Sequence, residues 1–184
     1  MKTLEKPLAE GVPTAMEAPL TVCFVCTGNT CRSPMAAALL NDRTRIPPVC
    51  SMCDVERLVN TKRIRAVSAG LFATGAPIAP NAVKALENAG VLPHADNLYT
   101  AHRSQGLDPE TAEACDKIIG MTGAHALQLM TAFPEYASKI TCMPVDIPDP
   151  YGGNEAEYDA CLAAIRDGLD EMFFSENEHE NRHS

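Results

Sequence analysis

An apolar run, Leu20-Thr21-Val22-Cys23-Phe24-Val25, passes through Cys26-Thr27-Gly28-Asn29-Thr30-Cys31-Arg32-Ser33-Pro34 into the helix-forming Met35-Ala36-Ala37-Ala38-Leu39-Leu40. From Val22 to Val25 every position is apolar, not every second one, which is the pattern of a strand buried on both faces of a parallel sheet. Ser33 is the expected N-cap of a helix running to about Arg43, and Pro34 suits its first turn. A strand that enters a helix through so short a connection commits the chain to a β-loop-α unit, with the loop at the carboxyl end of the strand.

The rest of the chain repeats that alternation. Ile64 to Leu71 reads as a second strand, Ala82 to Ala89 as a helix stopped by Gly90, and Asp108-Pro109 as the start of another helix. Lys117 to Thr122 is a third strand, Gly123 to Phe133 a helix ended by Pro134, and Lys139 to Met143 a fourth strand. Glu155 to Phe174 is an amphipathic closing helix with Tyr158, Cys161, Leu162, Ile165, Leu169 and Met172 on one side. This order predicts an α/β fold, a three-layer αβα sandwich around a four-stranded parallel sheet, whose ligands bind beyond the carboxyl ends of the strands.

At 184 residues, 46% of them hydrophobic, the chain fits one domain. We expect a flexible leader over 1–18, a single domain over 19–174 and a disordered polar tail over 175–184. Residues from about 46 to 62 interrupt the alternation after Ile46-Pro47-Pro48, and Val49 to Thr61 read as an inserted lobe in which Asp54 caps a short helix through Asn60. The balance of 15 basic against 24 acidic residues leaves a net charge of −9, which argues against nucleic acid as a partner and makes any positive site a local one. No apolar stretch is long enough for a signal-peptide core or a membrane span, so the expected setting is cytoplasmic, without a membrane partner. The 8 cysteines are then reduced thiols, with Cys23, Cys115 and Cys161 falling in core patterns. Cys50 and Cys53 have the spacing of half a zinc site, but no close second pair completes it, and no metal is expected.

The chemistry points to the first loop. Unpaired backbone N–H groups and the positive end of a helix dipole favour an anion there. Gly28 permits a left-handed or crowded backbone and Asn29 tolerates one, so the amides of the curled loop can converge on one oxyanion. Arg32 adds a planar fork for two phosphate oxygens. Cys26 lies in the same positive field, which favours the thiolate, its reactive form, and no other cysteine of the chain has Arg at that spacing. A phosphoryl group bound in such a loop has a nucleophile beneath it.

The stretch from Cys26 to Pro34 resembles the signature loop of the low-molecular-weight protein tyrosine phosphatases, a family that also contains protein-arginine phosphatases and a branch of arsenate reductases. The resemblance implies that Thr27, Gly28, Asn29, Thr30, Cys31, Arg32 and Ser33 hold phosphate or a similar oxyanion while Cys26 attacks phosphorus, with Ser33 hydrogen-bonded to its thiolate. Asp149-Pro150-Tyr151-Gly152-Gly153 is similar to the family's Asp-Pro-aromatic motif. By itself that segment reads better as a turn before a helix, in which Pro150 fixes the backbone beside Asp149 and the glycines make a crowded turn feasible. With the resemblance, Asp149 becomes the general acid that protonates the leaving group and then activates water, and Tyr151 a wall of the substrate pocket. Asp146 lies outside the motif and is expected to be a loop carboxylate. Ser68 of a Ser-Ala-Gly segment and His102 of His102-Arg103-Ser104 would prop the loop together with Asn29. The implied cysteinyl-phosphate mechanism needs no cofactor. Cys31, in the same tight loop, is placed to trap an oxidised Cys26 reversibly as a disulfide.

Thr30 and Tyr151 are the expected selectivity residues. Tyrosine phosphatases of the family carry an aliphatic side chain at the place of Thr30, where it packs against a phenyl ring, whereas members resembling the protein-arginine phosphatases carry Thr-Gly-Asn-Thr, as here. A hydroxyl removes apolar contact and offers a hydrogen-bond partner to a guanidinium or to the attacking water. Ser68 to Ala73 also looks like that branch. The expectation is a metal-independent protein phosphatase whose partners are phosphorylated proteins, with phosphoarginine as substrate and phosphotyrosine as the alternative, favoured by Tyr151. An arsenate reductase would need relay cysteines after the third strand, and Met121 to Ile140 contains none. A phosphocysteine carrier or a non-catalytic phosphate-binding module would not need Asp149.

Overall fold

Apolar strands with helices on either side assemble as the alternation predicts. In the computed structural model, residues 18–45 and 63–175 are described. They form β1 (Leu20–Cys26), α1 (Arg32–Arg43), β2 (Ile64–Gly70), α2 (Pro80–Asn88), α3 (Pro109–Ala114), β3 (Lys117–Gly120), α4 (Gly123–Ala132), β4 (Ile140–Cys142) and α5 (Glu155–Leu169). The sheet has four strands in the order β2-β1-β3-β4, and every pairing is parallel. The leader before Ala18, the inserted lobe with Asp54, Cys50 and Cys53, and the polar tail after Ser175 fall outside the described residues.

Strand alternation divides the core. Val22, Phe24 and Cys26 of β1 face a layer with Met35 and Leu40 of α1, Leu86 of α2, and Leu162, Ile165 and Leu169 of α5. Cys23 and Val25 face the other layer, with Ala112 of α3 and Ala126 and Leu129 of α4. The central strand is therefore buried on both sides, as its uninterrupted apolar run requires. Cys23, Cys115 and Cys161 are buried in these layers. At the sheet edge, Asn41 of α1 satisfies the outward backbone of β2: its Nδ2 donates to Ala66 O at 2.9 Å and Ala66 N donates to its Oδ1 at 2.8 Å. The amide side chain stands in for a missing strand.

Three boundaries differ from expectation for physical reasons. α1 begins at Arg32 with Cys31 at the cap position and no side-chain cap, so Ser33 is inside the helix and its hydroxyl is engaged elsewhere. β3 stops at Gly120 because Thr122 turns out to cap α4, accepting from His125 N at 3.3 Å. The closing helix is α-helical only to Leu169 and widens to a π-helical turn over Asp170–Phe174. There Asp170 pairs with Arg43, whose guanidinium lies 4.1 Å from the centre of the Phe174 ring, and the ends of α1 and α5 are tied together.

Candidate active site

The loop after β1 lies at the carboxyl edge of the sheet, where Leu71 N donates to Cys26 O at 2.9 Å and Phe72 N donates to Thr27 O at 2.8 Å. Its left-handed residue is Asn29, with φ of 54°, the only non-glycine residue of positive φ among those described; Gly28 is not left-handed. The sequence alone leaves that position open between the two. What decides it is the Asn29 side chain, which is held on three sides: Nδ2 donates to Ser33 Oγ and to Ser68 Oγ, both at 3.0 Å, and Oδ1 accepts from Gln105 N at 2.9 Å. The Asn29 carbonyl meets His102 Nε2 at 2.9 Å. A carbonyl can only accept, so Nε2 carries the ring proton, and burial holds His102 below the usual histidine range. Asn29, Ser68 and His102 thus converge on the loop.

Inside this frame Cys26 Sγ lies 3.1 Å from Ser33 Oγ and accepts from Asn29 N at 3.3 Å. Ser33 Oγ, already accepting from Asn29 Nδ2, can direct its own proton to the sulfur or to Ala69 O at 3.2 Å. Both groups are within hydrogen-bond reach of the sulfur. Arg32 is buried at the start of α1. Its Nη1 donates to Ile147 O at 3.3 Å and its Nη2 pairs with Asp149 Oδ2 at 2.6 Å. Arg32 Nε is buried and has no partner among the described residues. A permanently charged donor without a partner beside a cleft is what an oxyanion would satisfy.

The cleft holds about 510 Å³ and is lined by Cys26, Thr27, Gly28, Thr30, Cys31 and Arg32 on the loop side and by Asp149 and Tyr151 opposite. Asp149 is positioned by a turn: Tyr151 N donates to its Oδ1 at 3.2 Å, Gly153 N donates to Pro150 O at 2.9 Å, and Gly152 supplies a φ of 78°. That turn leaves the Tyr151 ring 78% exposed on the rim. Cys31 is buried, with Tyr158 Oη at 3.3 Å and Thr30 Oγ1 at 3.6 Å. Burial pushes its thiol up despite those two bonds. Burial likewise pushes Cys161 up to about 12, so it stays a thiol, donating to Pro148 O at 3.6 Å. Asp146 accepts from Gly123 N at 2.7 Å at the start of α4, the position of a helix-capping loop carboxylate.

Several residues of the site carry no obvious mark in the sequence. Phe72, 69% exposed, adds a second aromatic wall to the cleft together with Ile78 and Pro80. Gln105 braces Asn29 through its backbone, which no side-chain pattern announces. His125 is buried with Nε2 at 3.0 Å from Thr27 Oγ1. The one available signal was its spacing from Thr122, the residue that follows the third strand at the ligand-binding edge of the sheet.

Comparison with known proteins agrees with this geometry. The family model for low molecular weight phosphotyrosine protein phosphatase matches residues 21–182. A protein-arginine-phosphatase of Geobacillus stearothermophilus is 32% identical over 162 residues, covering 84% of this chain and 94% of that protein. A probable low molecular weight protein-tyrosine-phosphatase, EpsP of Ralstonia solanacearum, is 30% identical over 155 residues, covering 82% and 91%. Among solved structures, a cysteine-to-serine mutant of YwlE arginine phosphatase with a phosphorylated active-site serine superposes with a TM-score of 0.65 at 30% identity, covering 82% of this chain and 91% of that one. No helix among the described residues is long and apolar enough to cross a membrane.

Proposed function

Since the chain belongs to the low-molecular-weight phosphotyrosine protein phosphatase family and is a cysteine-dependent protein phosphatase, we propose that it dephosphorylates phosphoarginine residues, with Cys26 as nucleophile and Asp149 as general acid. The observation that carries the substrate assignment is Thr30. Its side chain lines the cleft beside Cys26, presenting a hydroxyl where an aromatic substrate would be better served by an aliphatic arm. Relatives named as arginine phosphatases support the same reading. The aromatic walls Phe72 and Tyr151 favour phosphotyrosine as a second reading, although a planar guanidinium also stacks on such faces.

The reaction proceeds as two displacements. Cys26 Sγ attacks phosphorus, the P–N bond breaks, and the proton of Asp149 passes to the leaving guanidine nitrogen. Water then attacks the cysteinyl-phosphate, giving its proton to the Asp149 carboxylate, and inorganic phosphate and the Cys26 thiolate are released. Arg32, through the Nε that has no partner among the described residues, and the loop amides hold the phosphoryl oxygens in both steps. Ser33, 3.1 Å from the sulfur, stabilises the thiolate before attack and after release. Asn29, Ser68 and His102 keep the loop in the shape that this requires. Cys31 is the partner for an oxidised Cys26, and a thiol reductant restores the enzyme.

The test compares turnover of phosphoarginine and phosphotyrosine peptides by the native protein and by Thr30→Ile, with Cys26→Ser as the inactive control. The native protein is expected to prefer phosphoarginine, and Thr30→Ile to move the ratio of kcat/KM values toward phosphotyrosine by at least about tenfold. A native preference for phosphotyrosine overturns the substrate assignment, and full turnover by Cys26→Ser overturns the mechanism.

A further inference from the structure

We propose that His125 is a positioning residue for phosphoryl binding: it locks the Thr27 hydroxyl so that its proton points into the cleft, as an additional donor to a phosphoryl oxygen. The inference rests on the cleft being the phosphoryl site, not on which amino acid carries the phosphoryl group.

The number of protons on the cluster sets the direction of each hydrogen bond. His125 sits in the first turn of α4, and each ring nitrogen meets one hydroxyl: Nδ1 lies 2.7 Å from Thr122 Oγ1 and Nε2 lies 3.0 Å from Thr27 Oγ1. Burial first, then the Arg32 guanidinium, hold the ring below the usual histidine range against the weaker pull of Asp149 and Asp146. At neutral pH the ring therefore carries a single proton. Thr122 Oγ1 already accepts from His125 N at 3.3 Å, and donating its own proton to Nδ1 gives both groups a partner within the cluster. Nε2 then holds the ring proton and donates to Thr27 Oγ1. Arg32 Nη2 donates to the same oxygen at 3.5 Å. With both lone pairs of Thr27 Oγ1 occupied, its own proton is left for the cleft that Thr27 lines next to Cys26. The opposite tautomer would turn a lone pair toward the incoming phosphoryl oxygens and repel them.

The seat of the histidine is built for close approach. A Cβ on Gly120, the last residue of β3, would come within 2.7 Å of Ala126 N and 3.1 Å of His125 Cβ. Only a glycine there lets the first turn of α4 bring the ring to the loop. The chain Thr122, His125, Thr27, Arg32 thus connects the end of β3 to the anion site through hydrogen bonds alone.

Two measurements test this on the full-length protein. Two-dimensional NMR of histidine ring nitrogens reports the tautomer directly: His125 is expected to be protonated at Nε2 at neutral pH, and protonation at Nδ1 overturns the proposal. Inhibition by inorganic phosphate, read with para-nitrophenyl phosphate, is then compared across His125→Leu, His125→Gln, Thr27→Val and the double variant Thr27→Val/His125→Leu. Loss of the oriented donor is expected to weaken phosphate about tenfold in His125→Leu and in Thr27→Val. Gln, whose amide can reach the place of Nε2, is expected to restore most of that loss. The double variant should be no weaker than Thr27→Val alone, since both changes remove one contact. Additive losses, or undiminished phosphate inhibition in folded His125→Leu, overturn the role. If His125→Leu does not fold, the tautomer and Thr27→Val decide: undiminished inhibition in Thr27→Val overturns the proposal. A native protein that phosphate does not inhibit overturns the phosphoryl site itself, an outcome distinct from the others.

Discussion

Gly70 shows how much of the site depends on the absence of a side chain. It ends β2 directly against the loop, and a Cβ there would meet Asn29 Cβ and Thr27 O at 2.9 Å and Asn29 N at 3.0 Å. These are backbone and near-backbone atoms that cannot rotate away, so Gly70→Ala must push the loop out of place. We expect a loss of about 1–3 kcal/mol in unfolding free energy together with a fall in kcat/KM. Gly28 is the contrast, for its Cβ would find only Thr30 Oγ1 at 3.7 Å, an ordinary contact. Gly28→Ala is expected to cost less in urea unfolding than Gly70→Ala; the reverse order would refute this account of the loop. The sequence drew attention to Gly28 because it lies inside the loop, whereas the glycine that packing demands comes from the neighbouring strand. Asn29 had a legible role as a residue tolerant of left-handed backbone, but the three partners of its amide come from α1, β2 and the segment after His102. No spacing rule relates those positions.

At the scale of elements, α5 closes the layer over α1 and α2, and its buried face of Tyr158, Cys161, Leu162, Ile165 and Leu169 follows the helical period read from the sequence. The face does two things at once: its apolar residues fill the core, and Tyr158 reaches Cys31 of the loop. Ile165 is fully buried and makes only the first contribution. Ile165→Ala is expected to destabilise the fold by about 2–5 kcal/mol in denaturant unfolding, through lost transfer free energy and the cavity left behind. A loss below about 1 kcal/mol would mean that α5 is loosely docked, contrary to its burial. Element order and type were legible because strand and helix differ in hydrophobic period. Element ends were less so, since Ser33 and Thr122 are both good caps by composition and only Thr122 acts as one. Ser33 is taken by Cys26, Asn29 and Ala69, an outcome fixed by neighbours distant in the chain.

For the molecule as a whole, the half-buried His102 and the buried His125 both brace the loop, and desolvation lowers the pKa of both below 6.5. Unfolding frees them to take up protons at pH values where the folded protein leaves them neutral. Their contribution to stability is therefore complete above about 6.5, the unfolded value, and is lost as pH falls toward the folded values. The urea midpoint is expected to drop between pH of about 7.5 and 5.5, and His102→Gln/His125→Gln to flatten that dependence while lowering the plateau. An unchanged slope in the double variant would assign the acid sensitivity to other groups. By itself the sequence determined the α/β order, the placement of the Cys26 loop at the carboxyl edge of the first strand, and the spacing of Cys26 from Arg32, because each rests on local periodicity or on spacing within one short segment. Only the tertiary structure decided that Asn29 rather than Gly28 takes the left-handed turn, that Asp149 lies on Arg32, and that His125 reaches Thr27. Those contacts join residues about a hundred positions apart, and what sets them is how closely β1, β2 and β3 pack and where glycines let them approach.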